Sequence, residues 1–178
     1  MRITMSLLLL AMLVGTDPGN WNADASRAKV QFSIQGLFGT VHGDFTGLKA
    51  TIRFDVKNPG AGSISASIDA KTVSTGIGLR NHHLRSEEQY LNTDKYPLIT
   101  FRSKTIEKAA NGYTANGDLT LKDVTKPVKI PFTFTPKDNS GVFKGQFVIR
   151  REDFHIGKPG GSIGDDVTIS LEVPVSQN

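Results

Sequence analysis

The sequence predicts an all-β fold: an antiparallel barrel of about eight strands, with one short helix between the fourth and fifth strands. Three observations lead there. From residue 29 onward apolar residues recur with period two, the mark of strands with one buried and one wet face. Turn-forming clusters separate these runs at short intervals, which joins neighbouring strands as hairpins. One stretch, from Ile77 to Tyr90, shifts to helical spacing and lacks a β-branched run. Closing such a meander into a barrel removes the exposed strand edges.

Each element follows from its own pattern. Val30, Phe32 and Ile34 alternate with Lys29, Gln31, Ser33 and Gln35. Ile52, Phe54 and Val56 alternate with Thr51, Arg53 and Asp55, and the run stops at Asn58-Pro59-Gly60. Ile64, Ala66, Ile68 and Ala70 alternate with small polar residues. The helix comes next, laid across one end or the side of the barrel. Ile99 and Phe101 start a strand after Pro97, and Tyr113, Ala115, Leu119 and Leu121 continue beyond the Asn111-Gly112 turn. Val128, Ile130, Phe132 and Phe134 make another strand, closed by Pro136-Lys137-Asp138-Asn139. Phe143, Phe147 and Ile149 follow, and Val167, Ile169, Leu171, Val173 and Val175 end the chain.

At 178 residues the chain is long enough for one domain with a real core and too short for two ordinary ones. No internal repeat or linker interrupts it. Arg2 precedes an apolar run from Ile3 to Val14, centred on Leu7-Leu8-Leu9-Leu10. A bilayer span needs about 20 apolar residues, so this shorter run reads as the apolar region of a secretory signal. Residues 1–16 are therefore expected to be a signal peptide and 17–178 a single domain, placed in a bacterial periplasm or secreted.

The absence of Cys excludes a disulfide scaffold, a thiolate zinc site and a cysteine nucleophile. The net charge of +4 comes from 21 basic and 17 acidic residues without a basic run, so nucleic acid is not an expected partner. Neither a Gly-x-Ser-x-Gly elbow nor a recognised metal or cofactor motif is present, so an enzyme and a cofactor are not expected.

The inward-facing set is rich in Phe and Ile: Phe32, Phe54, Ile68, Phe101, Leu119, Phe132, Phe134, Phe147 and Ile169. A barrel of about eight strands is either filled by such side chains or holds one small ligand. Both outcomes stay open at this point. In the first, the barrel is a structural or stress-related protein acting on a protein partner through its surface. In the second, the same residues line an apolar tunnel.

Polar candidates gather on and around the helix. Arg80 and His83 share a helical face, with Arg85 nearby, and could meet a phosphate, pyrophosphate or carboxylate group. The alternative is that Arg80 ties the helix to a barrel carboxylate such as Asp153 or Asp69. His82 and His83 point about 100° apart on a helix, which argues against joint metal ligation. Asp165-Asp166 sits at a glycine-containing turn, where Asp is expected for backbone reasons. Lys158-Pro159-Gly160-Gly161-Ser162 lacks the ending of a phosphate-binding loop and reads as a strand connection. Lys122 and Lys126 read as a solvated hairpin tip that could touch anionic lipid.

Together these motifs resemble the YceI-like family of secreted bacterial lipocalin-like proteins. The resemblance rests on Trp21 and Asp24, Val41-His42-Gly43-Asp44-Phe45, Ile52-Arg53-Phe54-Asp55, and Val73-Ser74-Thr75-Gly76. It continues through Arg80-Asn81-His82-His83-Leu84-Arg85-Ser86, Lys95-Tyr96-Pro97, Gly117-Asp118-Leu119, Val124-Thr125-Lys126-Pro127, Arg151-Glu152-Asp153-Phe154 and Gly164-Asp165-Asp166. There are departures. Asn81 stands where the family usually has Asp, Arg27 and Gly36 where it often has His, and His155 where Gly is common. The resemblance implies a lipocalin-like barrel with a long apolar tunnel and a polar mouth, here assigned to Arg80, His83, Arg85 and Asp153. It further implies storage or transport of a polyisoprenoid or related amphiphilic lipid of the quinone or polyprenyl type, without chemistry. Transient contact with a membrane surface belongs to the same expectation, and the oligomeric state stays open, a dimer included.

Overall fold

The computed structural model describes residues 19–158 and 160–177. The expected signal peptide over 1–16 lies outside the described residues. Ten strands and one α-helix are present among them: β1 Asn20–Ala23, β2 Lys29–Gly36, β3 Gly39–Phe45, β4 Lys49–Arg53, β5 Ser63–Asp69, α1 Gly78–Ser86, β6 Leu98–Ala109, β7 Gly112–Leu121, β8 Val124–Lys137, β9 Ser140–Arg150 and β10 Asp166–Gln177.

Eight strands close the barrel. From β4 each pairs antiparallel with the next through β10, and β1 joins β10 back to β4. Strand β10 is long enough to serve two neighbours along one edge. Val175 to Gln177 pair with β1, and Val167 to Glu172 pair with β2. The β2–β3 hairpin thus continues the wall where β1 ends. The outer edge of β3 is tied back by an isolated bridge between Asp44 and Ser74.

The strand that sequence periodicity misses is β1, because four residues are too few to show a period. Its Trp21 is buried, and the Trp21 indole N–H donates to the Phe54 carbonyl at 3.0 Å. The helix is shorter than the predicted 77–90. Glu87 leaves helical geometry, and the chain folds back so that the Leu91 N–H donates to the Leu84 carbonyl and the Thr93 N–H to the Arg85 carbonyl. That reversal buries Leu91 and Thr93 in the barrel end, which a continued helix would leave in water.

The two ends of the barrel differ. At the end holding the β6–β7 and β8–β9 turns, six aromatics pack together. The Phe54 ring is edge-on to Tyr113, Phe132, Phe134 and Phe143, and Phe134 stacks on Phe143 with centroids 4.3 Å apart. Trp21 closes the cluster with its edge toward Phe134. Gly141 makes room for it, since a Cβ there would run into the Phe134 ring. This end is plugged. Helix α1, the β2–β3 turn, the β7–β8 turn and the β9–β10 loop gather at the opposite end.

Candidate functional site

Between the plug and α1 the barrel is not filled by its own side chains. It encloses a cavity of about 620 Å³, within the range of small-molecule sites. Inward positions of every barrel strand except β1 reach it, because period-two alternation puts one apolar face of each strand on the inside. Phe32, Ile68, Phe101, Leu119, Phe132, Phe147 and Ile169 line it as the sequence predicts. Phe32 lies across Gly43 on β3, where a Cβ would collide with the ring.

Two predicted lining residues do not line the cavity. Phe54 and Phe134 belong to the aromatic plug instead. Alternation fixes which face a residue occupies and not its height along the barrel axis, so these two share the inner face and lie below the floor. The wall also uses residues that composition alone does not single out, among them Ala50, Ala66 and Ala115. Small side chains on an inner face are what leave the space open. Alanines at inward positions of β4, β5 and β7 are the available sequence signal.

The polar mouth is narrower than predicted. Arg80 and His83 border the cavity. The half-buried Arg80 side chain makes no hydrogen bond or ion pair with any described residue, so it is tied to neither Asp153 nor Asp69. His83 has Glu87 one turn away, with Nε2 3.8 Å from Oε1. Arg85 is not a mouth residue: it donates to the Val73 carbonyl at 2.7 Å, which holds the helix to the chain preceding it. Asp153 is exposed on the 3-10 turn after β9 and does not border the cavity.

Arg151, which the polar assignment omitted, organises this rim. It is buried, and its guanidinium donates to the carbonyls of Gly164, Ile156, Lys158 and Ile163 and to Asp165 Oδ1. All three guanidinium nitrogens take part, Nε and Nη1 with one acceptor each and Nη2 shared among three. They fix the β9–β10 loop as part of the cavity rim and engage Asp165 structurally, as the turn reading expects. The sequence signal was the Arg151-Glu152-Asp153-Phe154 motif, in which Phe154 is also buried.

Lys122 is not a free hairpin tip. Its Nζ donates to the carbonyls of Glu88 and His155, each at 2.8 Å, and burial pushes its pKa below the ordinary lysine value. Lys126 remains exposed. Among the described residues no cluster of three or more His, Asp or Glu side chains is arranged to hold a metal ion.

The arrangement is a one-ended apolar barrel with a plugged floor and a cation at the mouth. Residues 21–175 match the YceI-like domain. The chain belongs to the YceI-like family. It is 34% identical over 157 residues to a UPF0312 protein of Yersinia enterocolitica, a match covering 84% of this chain and 81% of the relative. Among solved structures it resembles BcnA of Burkholderia cenocepacia, with a TM-score of 0.81 at 24% identity, covering 85% of this chain and 98% of that one. It also resembles a domain from Saccharophagus degradans, described as polyisoprenoid binding and implicated in plant cell wall breakdown. There the TM-score is 0.68 at 15% identity, covering 92% of this chain and 100% of the other.

The structure also explains how this YceI-like chain accommodates its departures. Asn81 Oδ1 accepts from both the Thr75 N–H and the Thr75 hydroxyl at 2.8 Å, which fixes the entry to α1. His155 sits at φ 54°, a left-handed conformation that Gly adopts without cost. Arg27 lies outside the cavity and pairs with Asp24 at 2.6 Å, while Gly36 borders the cavity.

Proposed function

We propose that this YceI-like barrel binds a polyisoprenoid or related amphiphilic lipid, of the quinone or polyprenyl type, for storage or transport in a bacterial periplasm. The observation that carries the reading is the apolar cavity of about 620 Å³ with, at its mouth, a guanidinium that has no partner among the described residues. Each CH₂ moved from water into such a wall contributes roughly 0.8 kcal/mol before ordering and association costs. The walls are mostly apolar, so selection of a chain falls on length and shape. At the mouth, Arg80 is suited to an anionic head group, since a guanidinium pairs bidentately with phosphate or carboxylate. The Saccharophagus domain of similar fold, described as polyisoprenoid binding, supports the same ligand class. The apolar run after Arg2 supports export.

The rival reading, a barrel filled by its own side chains and working only through its surface, leaves the open interior unexplained. Native mass spectrometry on protein purified from the periplasm, followed by organic extraction, tests the proposal. A discrete mass excess that extracts as a prenyl lipid is expected. A bare polypeptide that takes up neither quinone nor polyprenyl phosphate on titration refutes it. Recovery of the chain from the cytoplasmic fraction alone would overturn the periplasmic assignment without touching the binding one.

A further inference from the structure

Apolar side chains on the outside of this barrel are not scattered. Of the eight large hydrophobic residues exposed among the described residues, five sit at the cavity mouth: Leu37 and Phe38 on the β2–β3 turn, Ile77 and Leu79 at the start of α1, and Ile163 on the β9–β10 loop. The other three, Val56, Leu98 and Val148, are dispersed over the far end and the outer wall. Two of the three mouth segments are joined directly. The Gly164 N–H donates to the Gln35 carbonyl at 2.7 Å, joining the β9–β10 loop to the β2–β3 hairpin. Gly36, Ile77, Leu79 and Ile163 border the same opening. Phe38 is 99% exposed, which costs apolar hydration and returns nothing to the fold.

Charge is distributed to match. The segments 36–41, 75–83 and 156–164 contain no Asp or Glu, and they carry Arg80 and Lys158. The nearest carboxylates, Glu87 and Asp165, face His83 and Arg151. An apolar collar whose own segments carry positive and no negative side chains, around the opening of an apolar cavity, is complementary to an anionic bilayer surface.

We propose that this rim docks the protein mouth-down on anionic membranes, with Leu37 and Phe38 entering the head-group region, so that lipid passes between bilayer and cavity without crossing water. Leu37 and Phe38 do not line the cavity. Docking can therefore be separated from lipid binding, and the two proposals fail independently.

The test is flotation with vesicles of phosphatidylcholine, with and without phosphatidylglycerol. The wild-type chain should float with phosphatidylglycerol vesicles, less as salt rises. The double variant Leu37→Asp/Phe38→Asp should partition about tenfold more weakly or worse, given the loss of two apolar side chains and the gain of two like charges. That variant should still carry its lipid in a vesicle-free sample. Emission from Phe38→Trp should move to the blue on vesicle addition, while buried Trp21 does not respond. A wild-type chain that stays unbound, a double variant that floats equally, or unchanged Phe38→Trp emission each refutes docking. So does a rim that instead mediates self-association, seen as a dimer that the double variant converts to monomer with no vesicle binding. A chain that docks and yet carries no lipid refutes the cavity proposal alone.

Discussion

Arg151 and Asp165 meet at 3.0 Å, joining the end of β9 to the start of the neighbouring β10 beside the mouth of the barrel. The backbone repeats the link, with the Arg151 N–H donating to the Asp165 carbonyl at 2.9 Å. The remaining donors of Arg151 collect four loop carbonyls, which would otherwise have to find water beside an apolar rim. A single buried cation therefore does for this loop what a strand ladder does elsewhere.

Replacing it should be costly. Arg151→Met removes five charge-assisted bonds, each typically worth about 1.5–3 kcal/mol in isolation, though the exposed loop regains part of that from solvent. A loss of at least about 2 kcal/mol in urea unfolding is expected, with amide exchange rising first over 156–165. Arg151→Lys should not rescue it, because an ammonium has three donors and no planar fork. An unchanged unfolding midpoint would show that the loop is held by something else.

The division of the barrel into plug and cavity makes two phenylalanines on the same inner face unequal. Phe54 is 1% exposed and contacts four other rings. Phe147 faces the cavity and is only half-buried. Phe54→Ala should destabilise by about 3–5 kcal/mol, the usual cost of a new void in a packed core. Phe147→Ala should cost clearly less, because the space beside it is already open, yet it should alter lipid retention. Equal losses from both in thermal or urea unfolding would argue against an open interior.

Arg80 offers a cleaner separation of binding from folding. It has no partner within the described chain, so Arg80→Gln should leave the unfolding midpoint unchanged. Affinity for a polyprenyl phosphate should fall about tenfold or more, the worth of a hydrogen bond to a charged group. Affinity for the corresponding polyprenol should not change. Titration of both ligands against both proteins checks this, and a parallel loss for the alcohol would place Arg80 in the wall rather than at the head group.

What the sequence discloses, and what it conceals, follows one physical line. Period two reports which face of a strand is wet, so the barrel, its inner face and most cavity-lining residues were readable from Val30 to Val175. Periodicity carries no information on height along the barrel axis, so Phe54 and Phe134 read the same as Phe132 although they lie in the plug. Arg151 was hidden for a different reason: whether an arginine is buried depends on carbonyls supplied by a loop 5 to 13 residues away in sequence. Arg85 shows the converse, a helical cation that sequence places at the mouth and that the Val73 carbonyl takes up instead.

The β1–β2 turn supplies a prediction in pH. The Asp24 carboxylate accepts from the Ser26 hydroxyl at 2.6 Å and from Arg27 Nε at 2.6 Å, and further from the backbone N–H groups of Ser26 and Arg27. These bonds, with Ser26 the largest contributor and Arg27 next, lower its pKa from the ordinary 3.8 to about 2. The folded value is below the unfolded one, so the folded state binds the proton less readily. Whatever stability the ionised group adds is fully present above pH 3.8 and is lost as pH falls from there toward 2. Wild-type protein should therefore lose stability more steeply than Asp24→Asn between those pH values, with the two curves parallel above pH 5 or so. A carboxyl-detected NMR titration of Asp24 should give a midpoint near 2. A midpoint at the ordinary value would mean that the turn is open in solution, and that Trp21 closes the barrel without help from the residues that follow it.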